Sequence, residues 1–170
     1  IEDKRYLKDK LFQDKVKNSI LIDNLKIDDY DFVFISGGWG AAYDLGYSEI
    51  LGEKISQAYY SEKTIIGAVC HGVLGFIKAK DSLGKLIIKN RRMTGVTNKQ
   101  IKELGIDFTP QHPEDELIKA GAIFESKTAF RDAFADLTIT DDNAKFVTGQ
   151  NQNAGHETPQ KMMDILKRKQ

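Results

Sequence analysis

Little in this chain is extreme, and its shortages are informative. It holds a single cysteine, Cys70, in 170 residues. One thiol excludes an internal disulfide framework and any zinc site built from several cysteines, and makes a reducing, cytoplasmic compartment the expectation. Neither sign of charge is in excess: 25 Lys and Arg balance 25 Asp and Glu. Nothing electrostatic therefore draws the chain to nucleic acid or to an anionic membrane. Long apolar runs are missing as well. Stretches such as Thr64 to Val69 fall far short of the roughly 20 residues that span a bilayer. The three histidines, His71, His112 and His156, are too scattered to suggest a metal site. Internal repeats, low-complexity tracts and linkers are absent too. A chain of this size buries about 68–70% of its unfolded surface, so a single domain over residues 1–170 is expected. The chain starts at Ile1 without a signal-peptide pattern.

What is present reads as α/β. Residues 1–18 are mostly charged, but Leu7, Leu11 and Phe12 have the spacing of a short amphipathic helix. Phe32 to Ile35 is a short apolar run closed by Ser36-Gly37-Gly38, a buried parallel strand ending in a tight loop. Ser48 can cap a helix whose inner face is Ile50, Leu51, Ile55, Ala58 and Tyr59. Thr64 to Val69 is a second buried strand, followed by Cys70-His71-Gly72 and an apolar helix over Val73 to Ala79. Leu86 to Ile88 and Arg92 to Val96 read as strands, and Asn98 to Leu104 as a short helix. Glu114 to Lys119 is another helix, and Ala122 to Phe124, Leu137 to Thr140 and Phe146 to Thr148 are further strands. Thr158 and Pro159 open a closing helix with Met162, Met163, Ile165 and Leu166 as its stripe. This alternation predicts a doubly wound, mostly parallel sheet with helices on both faces.

The strongest chemical signal is Ala68-Val69-Cys70-His71-Gly72. A buried strand ends, a nucleophile follows, and a helix begins, with small residues two before and two after. That is the pattern of a nucleophile elbow, whose sharp turn tolerates only small neighbours. A thiol at a helix start feels the positive end of the backbone dipoles, which favours the thiolate. His71 could take or give its proton. Ser36-Gly37-Gly38-Trp39-Gly40 ends the preceding strand, so both loops are expected at the carboxyl edge of the sheet. Amides of Gly37 and Gly38, with that of His71, could hold an oxyanion, while Trp39 lines or plugs a pocket. This glycine run has neither G-x-G-x-x-G nor P-loop spacing. His112, between prolines, could reach the rim of the same site. His156-Glu157 reads as a helix start, Asn151-Gln152-Asn153 as a turn, and Lys89, Arg91 and Arg92 as a solvated basic spot.

Four segments in order, Ile35-Ser36-Gly37-Gly38-Trp39-Gly40, Ala68-Val69-Cys70-His71-Gly72, Thr94-Gly95-Val96-Thr97-Asn98 and Val147-Thr148-Gly149-Gln150-Asn151, resemble the ThiJ/PfpI superfamily. These are flavodoxin-like relatives of class I glutamine amidotransferases. Cysteine followed directly by histidine is similar to the branch of glutathione-independent glyoxalase III enzymes and heat-shock chaperones. The resemblance implies a flavodoxin-like fold, Cys70 as nucleophile with His71 as partner, and an oxyanion site at Gly37, Gly38 and the His71 amide. It implies no cofactor, a homodimer, and a small reactive carbonyl such as methylglyoxal as substrate, converted through a cysteine hemithioacetal to a 2-hydroxy acid. A deglycase or amidohydrolase would use the same groups, and a stress chaperone or redox sensor is the non-enzymatic alternative. The family's first strand carries a glutamate that no residue here matches. Its N-terminal strand-helix-strand is expected to lie outside this chain or to come as a separate segment. Many relatives have histidine at Trp39, and the position of an acid completing a Cys-His-acid set falls on Ile101, or on Glu103 with a shift.

Overall fold

The structure, a computed structural model, describes residues 6–132 and 135–169. Ile1 and the rest of the first five positions of the N-terminal stretch lie outside the described residues. The frame is a four-stranded sheet of β1 (Phe32–Ile35), β2 (Ile65–Val69), β6 (Phe146–Gly149) and β5 (Thr138–Thr140), in the order β1-β2-β6-β5. The first three strands run parallel and β5 is antiparallel to β6. β3 (Arg92–Met93) and β4 (Ile123–Phe124) form a separate parallel pair.

β2 is buried along its whole length, which is why it reads as an unbroken apolar run rather than an alternating one. Its residues point alternately to two cores. Ile66 and Ala68 pack with Leu51, Ile55 and Ala58 of α2 (Glu49–Tyr60), and with Val73 and Phe76. Ile65 faces the other way, joining Val147 against Met162 and Ile165 of α5 (Glu157–Lys169). Helices thus cover both faces, as the alternating pattern predicts. α2 begins as expected, the Ser48 hydroxyl accepting from the Leu51 amide at 3.1 Å. The N-terminal helix forms as α1 (Lys10–Lys17), capped by Asp9, and none of its residues is buried. α3 (Asn98–Glu103) and α4 (Pro113–Lys119) complete the set. α3 carries a capping box in which the Thr97 and Gln100 side chains each accept the other residue's amide.

Four local readings change. Leu86 to Ile88 is a turn, not a strand: apart from one isolated bridge at Leu86, its carbonyls are taken up by nearby amides, Lys89 to Leu86 and Arg91 to Ile88. Only Arg92 and Met93 of the predicted Arg92 to Val96 strand pair with another strand, because the Thr94 amide donates instead to the Thr148 hydroxyl at 2.9 Å. The segment after β2 is a 3-10 helix, Cys70–Phe76, that starts at the cysteine itself. The basic spot is not wholly solvated either. Arg91 lies over the neighbouring rings of Tyr59 and Phe146, pairs with the buried carboxylate of Asp141, and donates to Tyr59 at 2.8 Å and to the Ile87 carbonyl at 2.7 Å.

Candidate active site

The register of the parallel strands decides where the chemistry collects. Ile35 lies beside Ala68 and Val69 beside Gly149, so the loops leaving β1, β2 and β6 emerge together at one edge. The Thr94–Thr148 hydrogen bond brings the Thr94–Asn98 segment to the same edge.

Cys70 leaves β2 with φ +60°, a left-handed backbone that costs a residue with a β-carbon about 1–3 kcal/mol. Its surroundings impose it. A β-carbon on Gly72 would stand 2.4 Å from the Ile35 carbonyl oxygen and 3.0 Å from that of Ser36. One on Gly37 would stand 2.5 Å from the Val69 carbonyl oxygen and 2.8 Å from Cys70 Cβ. These obstacles belong mainly to the backbone, so the two loops interlock only because both positions are glycine. Gly38, at φ +112°, turns its amide toward the Cys70 sulfur, as does His71.

Cys70 Sγ lies 3.5 Å from His71 Nδ1. His71 is buried, and its Nε2 has no hydrogen-bond partner. Burial, reinforced by the charge of His112, lowers its pKa to about 4, so the ring is neutral near pH 7. With the thiol donating to Nδ1, the ring proton sits on Nε2. The thiol itself departs from the sequence expectation. The amides of His71 and Gly38 favour the thiolate, but burial outweighs them and pushes the thiol above its usual value. A single 3-10 stretch supplies too little dipole to offset desolvation. The resting pair is therefore neutral thiol and neutral imidazole.

Beside the sulfur is a cavity of about 110 Å³. Trp39 and the Cys70–His71 pair contribute to its wall, along with Val96, Leu104, Ile106, Gln100, Asn151 and Gln152. The structure thus gathers Cys70, His71 and Trp39 at one cavity, with Gly37 packed against the cysteine and the exposed Gly38 turning its amide to the sulfur. His112 is not in that wall. It precedes α4, with Nδ1 2.9 Å from Asn98 Oδ1, and acts on His71 through charge. His156 is exposed. Neither position weighed for a third acid reaches the histidine: Ile101 is core, and Glu103 accepts from the Asp132 amide at 2.7 Å. Asn151 is a turn residue, as read, its side chain accepting from the Asn153 amide at 2.9 Å. It is also buried and bonded to the Ala135 carbonyl, which makes it part of the cavity wall. Leu104 and Ile106 carry no sequence signal for this role; they reach the site only through the fold.

A parallel strand delivering a cysteine on a strained elbow, with glycine loops fitted around it, defines an α/β protein of the nucleophile-elbow class. The chain belongs to the DJ-1/PfpI family, whose pattern matches residues 7–163. It is 31% identical over 146 residues to glutathione-independent glyoxalase HSP31 of Saccharomyces cerevisiae, a match that covers 82% of this chain and 59% of that protein. Among solved structures, the Francisella tularensis rapid encystment protein of 24 kDa superposes with a TM-score of 0.84 at 29% identity, over 95% of this chain and 69% of the other. Glyoxalase III of Candida albicans superposes with a TM-score of 0.79 at 25% identity, over 96% and 70%. The chain spans 56–59% of the length of the first curated relatives it matches. No helix among the described residues is long and apolar enough to cross a membrane.

Proposed function

We propose that this chain carries the cysteine centre of a glutathione-independent glyoxalase, converting methylglyoxal-type 2-oxoaldehydes to 2-hydroxy acids. The observation that carries the reading is Cys70 Sγ on its elbow, 3.5 Å from a neutral His71 and open to a small cavity. The names of the relatives support the same reaction class.

Because the resting thiol is neutral, attack and deprotonation go together. Sγ bonds to the aldehyde carbon as His71 Nδ1 takes the thiol proton, and the carbonyl oxygen becomes an alkoxide within reach of the Gly38 and His71 amides. The imidazolium returns that proton to the alkoxide, giving a neutral hemithioacetal. His71, neutral again, removes the proton from the former aldehyde carbon and returns it to the adjacent carbon through an enediolate, while the hydroxyl proton passes from the first oxygen to the second. The first carbon is oxidised and the second reduced, leaving a 2-hydroxy thioester. Water then cleaves the C–S bond, releasing the 2-hydroxy acid and restoring the thiol. The net change is oxoaldehyde plus water, so no cofactor takes part. A working free thiol fits a reducing, cytoplasmic setting, and a homodimer belongs to the same reading.

The test is lactate formation from methylglyoxal without glutathione, with Cys70→Ala as the comparison. Loss of at least about a hundredfold in kcat/KM is expected from removing the nucleophile. Equal rates in the two proteins would refute the reading.

A further inference from the structure

We infer that Leu104 and Ile106 set the size of carbonyl compound that reaches Cys70, admitting short 2-oxoaldehydes and turning away aromatic ones. The inference deepens the proposed function and rests on it for the identity of the substrate. Its physical core, a size limit at the sulfur, stands on the cavity alone.

The cavity holds about 110 Å³. An apolar cavity of about 150 Å³ is what benzene occupies in another protein, so a phenyl ring carrying a dicarbonyl exceeds the space beside Cys70. A two- or three-carbon oxoaldehyde does not. The restricting wall is apolar and comes from two separate loops. Trp39 stands on one, edge-on to Tyr43 at 6.1 Å between ring centres. Leu104 and Ile106 stand on the other, held by the tight turn that ends α3. There Gly105 adopts φ +68°, its amide donates to the Lys102 carbonyl at 3.0 Å, and the Ile106 amide donates to Ile101 at 3.2 Å. This turn fixes the two side chains on either side of one glycine, both facing the cavity. Leu104 is 58% exposed, so it belongs to the mouth rather than to the core. Shortening it widens the opening without leaving a buried void. Asn151 stiffens the remaining wall, its amide bonded to Ala135 and Asn153, and the exposed Gln152 beside it brings a polar side chain to the cavity.

Two measurements on the purified protein decide the matter. The first is kcat/KM for phenylglyoxal relative to methylglyoxal. Leu104→Ala is expected to raise that ratio about tenfold, the discrimination typical of removing apolar bulk from a pocket, and Leu104→Trp to lower it. The second needs no turnover: the rate of Cys70 alkylation by iodoacetamide relative to N-phenylmaleimide, referenced to free cysteine and read by peptide mass. The native chain is expected to favour the small reagent, Leu104→Ala to narrow that preference, and Leu104→Trp to widen it. Unchanged alkylation ratios in Leu104→Ala and Ile106→Ala overturn the inference, whatever the catalytic result. If alkylation shows the size limit but methylglyoxal is not turned over, the size limit stands and the proposed function falls.

Discussion

The buried imidazole of His71 makes stability depend on pH in a direction and range that can be stated beforehand. In the unfolded chain its pKa is the ordinary value near 6.5, and in the folded chain burial and His112 lower it to about 4. Below pH 6.5 the unfolded state takes up a proton that the folded state refuses. Stability is therefore highest above pH 6.5 and is lost as the pH falls toward 4. At about 1.4 kcal/mol per pH unit, the full loss is about 3 kcal/mol. Urea denaturation midpoints between pH 4.5 and 7.5 measure it, and the difference between the native chain and His71→Asn isolates this group. Carboxylates common to both proteins, such as Glu157, held low by Lys161 and the Thr138 hydroxyl, cancel in the difference. A difference curve flat to within about 0.5 kcal/mol from pH 4.5 to 7.5 would refute the assignment of a proton-free, desolvated ring. The same depression places the acid limb of kcat/KM near pH 4 rather than near 6.5, since only the neutral ring can take the thiol proton.

Three further outcomes follow from the packing. Gly72→Ala drives a β-carbon to 2.4 Å from the Ile35 carbonyl oxygen; it is expected to cost about 2 kcal/mol in chemical denaturation and to lower methylglyoxal turnover out of proportion to the unfolded fraction. Arg91→Met leaves the Asp141 carboxylate, 1% exposed, without its cation, and a loss of about 3 kcal/mol in urea stability is expected. The alkylation rate of Cys70 by iodoacetamide is expected to rise with a midpoint above the roughly 8.5 of a free thiol, because burial dominates its environment; a midpoint below that value would show that the amides prevail.

What could be read in advance was what depends on near neighbours in the chain. The Ser48 cap, the unbroken apolar run of β2 and the small residues framing Cys70 are all local, and each appears where it was expected. The misreadings share one cause, distant partners. Leu86 to Ile88 has the apolar content of a strand, but no strand lies in register with it. Arg91 sits in a polar, basic stretch and looks solvated, yet Asp141, 50 positions away, draws it inward. The direction of the Cys70 pKa turns on how much protein surrounds the sulfur, and local spacing carries no measure of that. The same applies to Leu104, Ile106 and Asn151, which meet at the cavity only after β2, β6 and α3 have packed.

The left-handed backbone of Cys70 has one more consequence. A residue with a side chain does not choose that conformation; three separate stretches, the β1 loop, the end of β2 and the turn through Gly72, hold it there together. Loosen any one and the cysteine relaxes to an ordinary geometry, swinging its sulfur away from the ring nitrogen while most of the chain stays in place. Catalytic competence at this position therefore gauges the integrity of the sheet's working edge, whereas a sulfur released from burial would alkylate more readily, so the two readouts part when that edge yields.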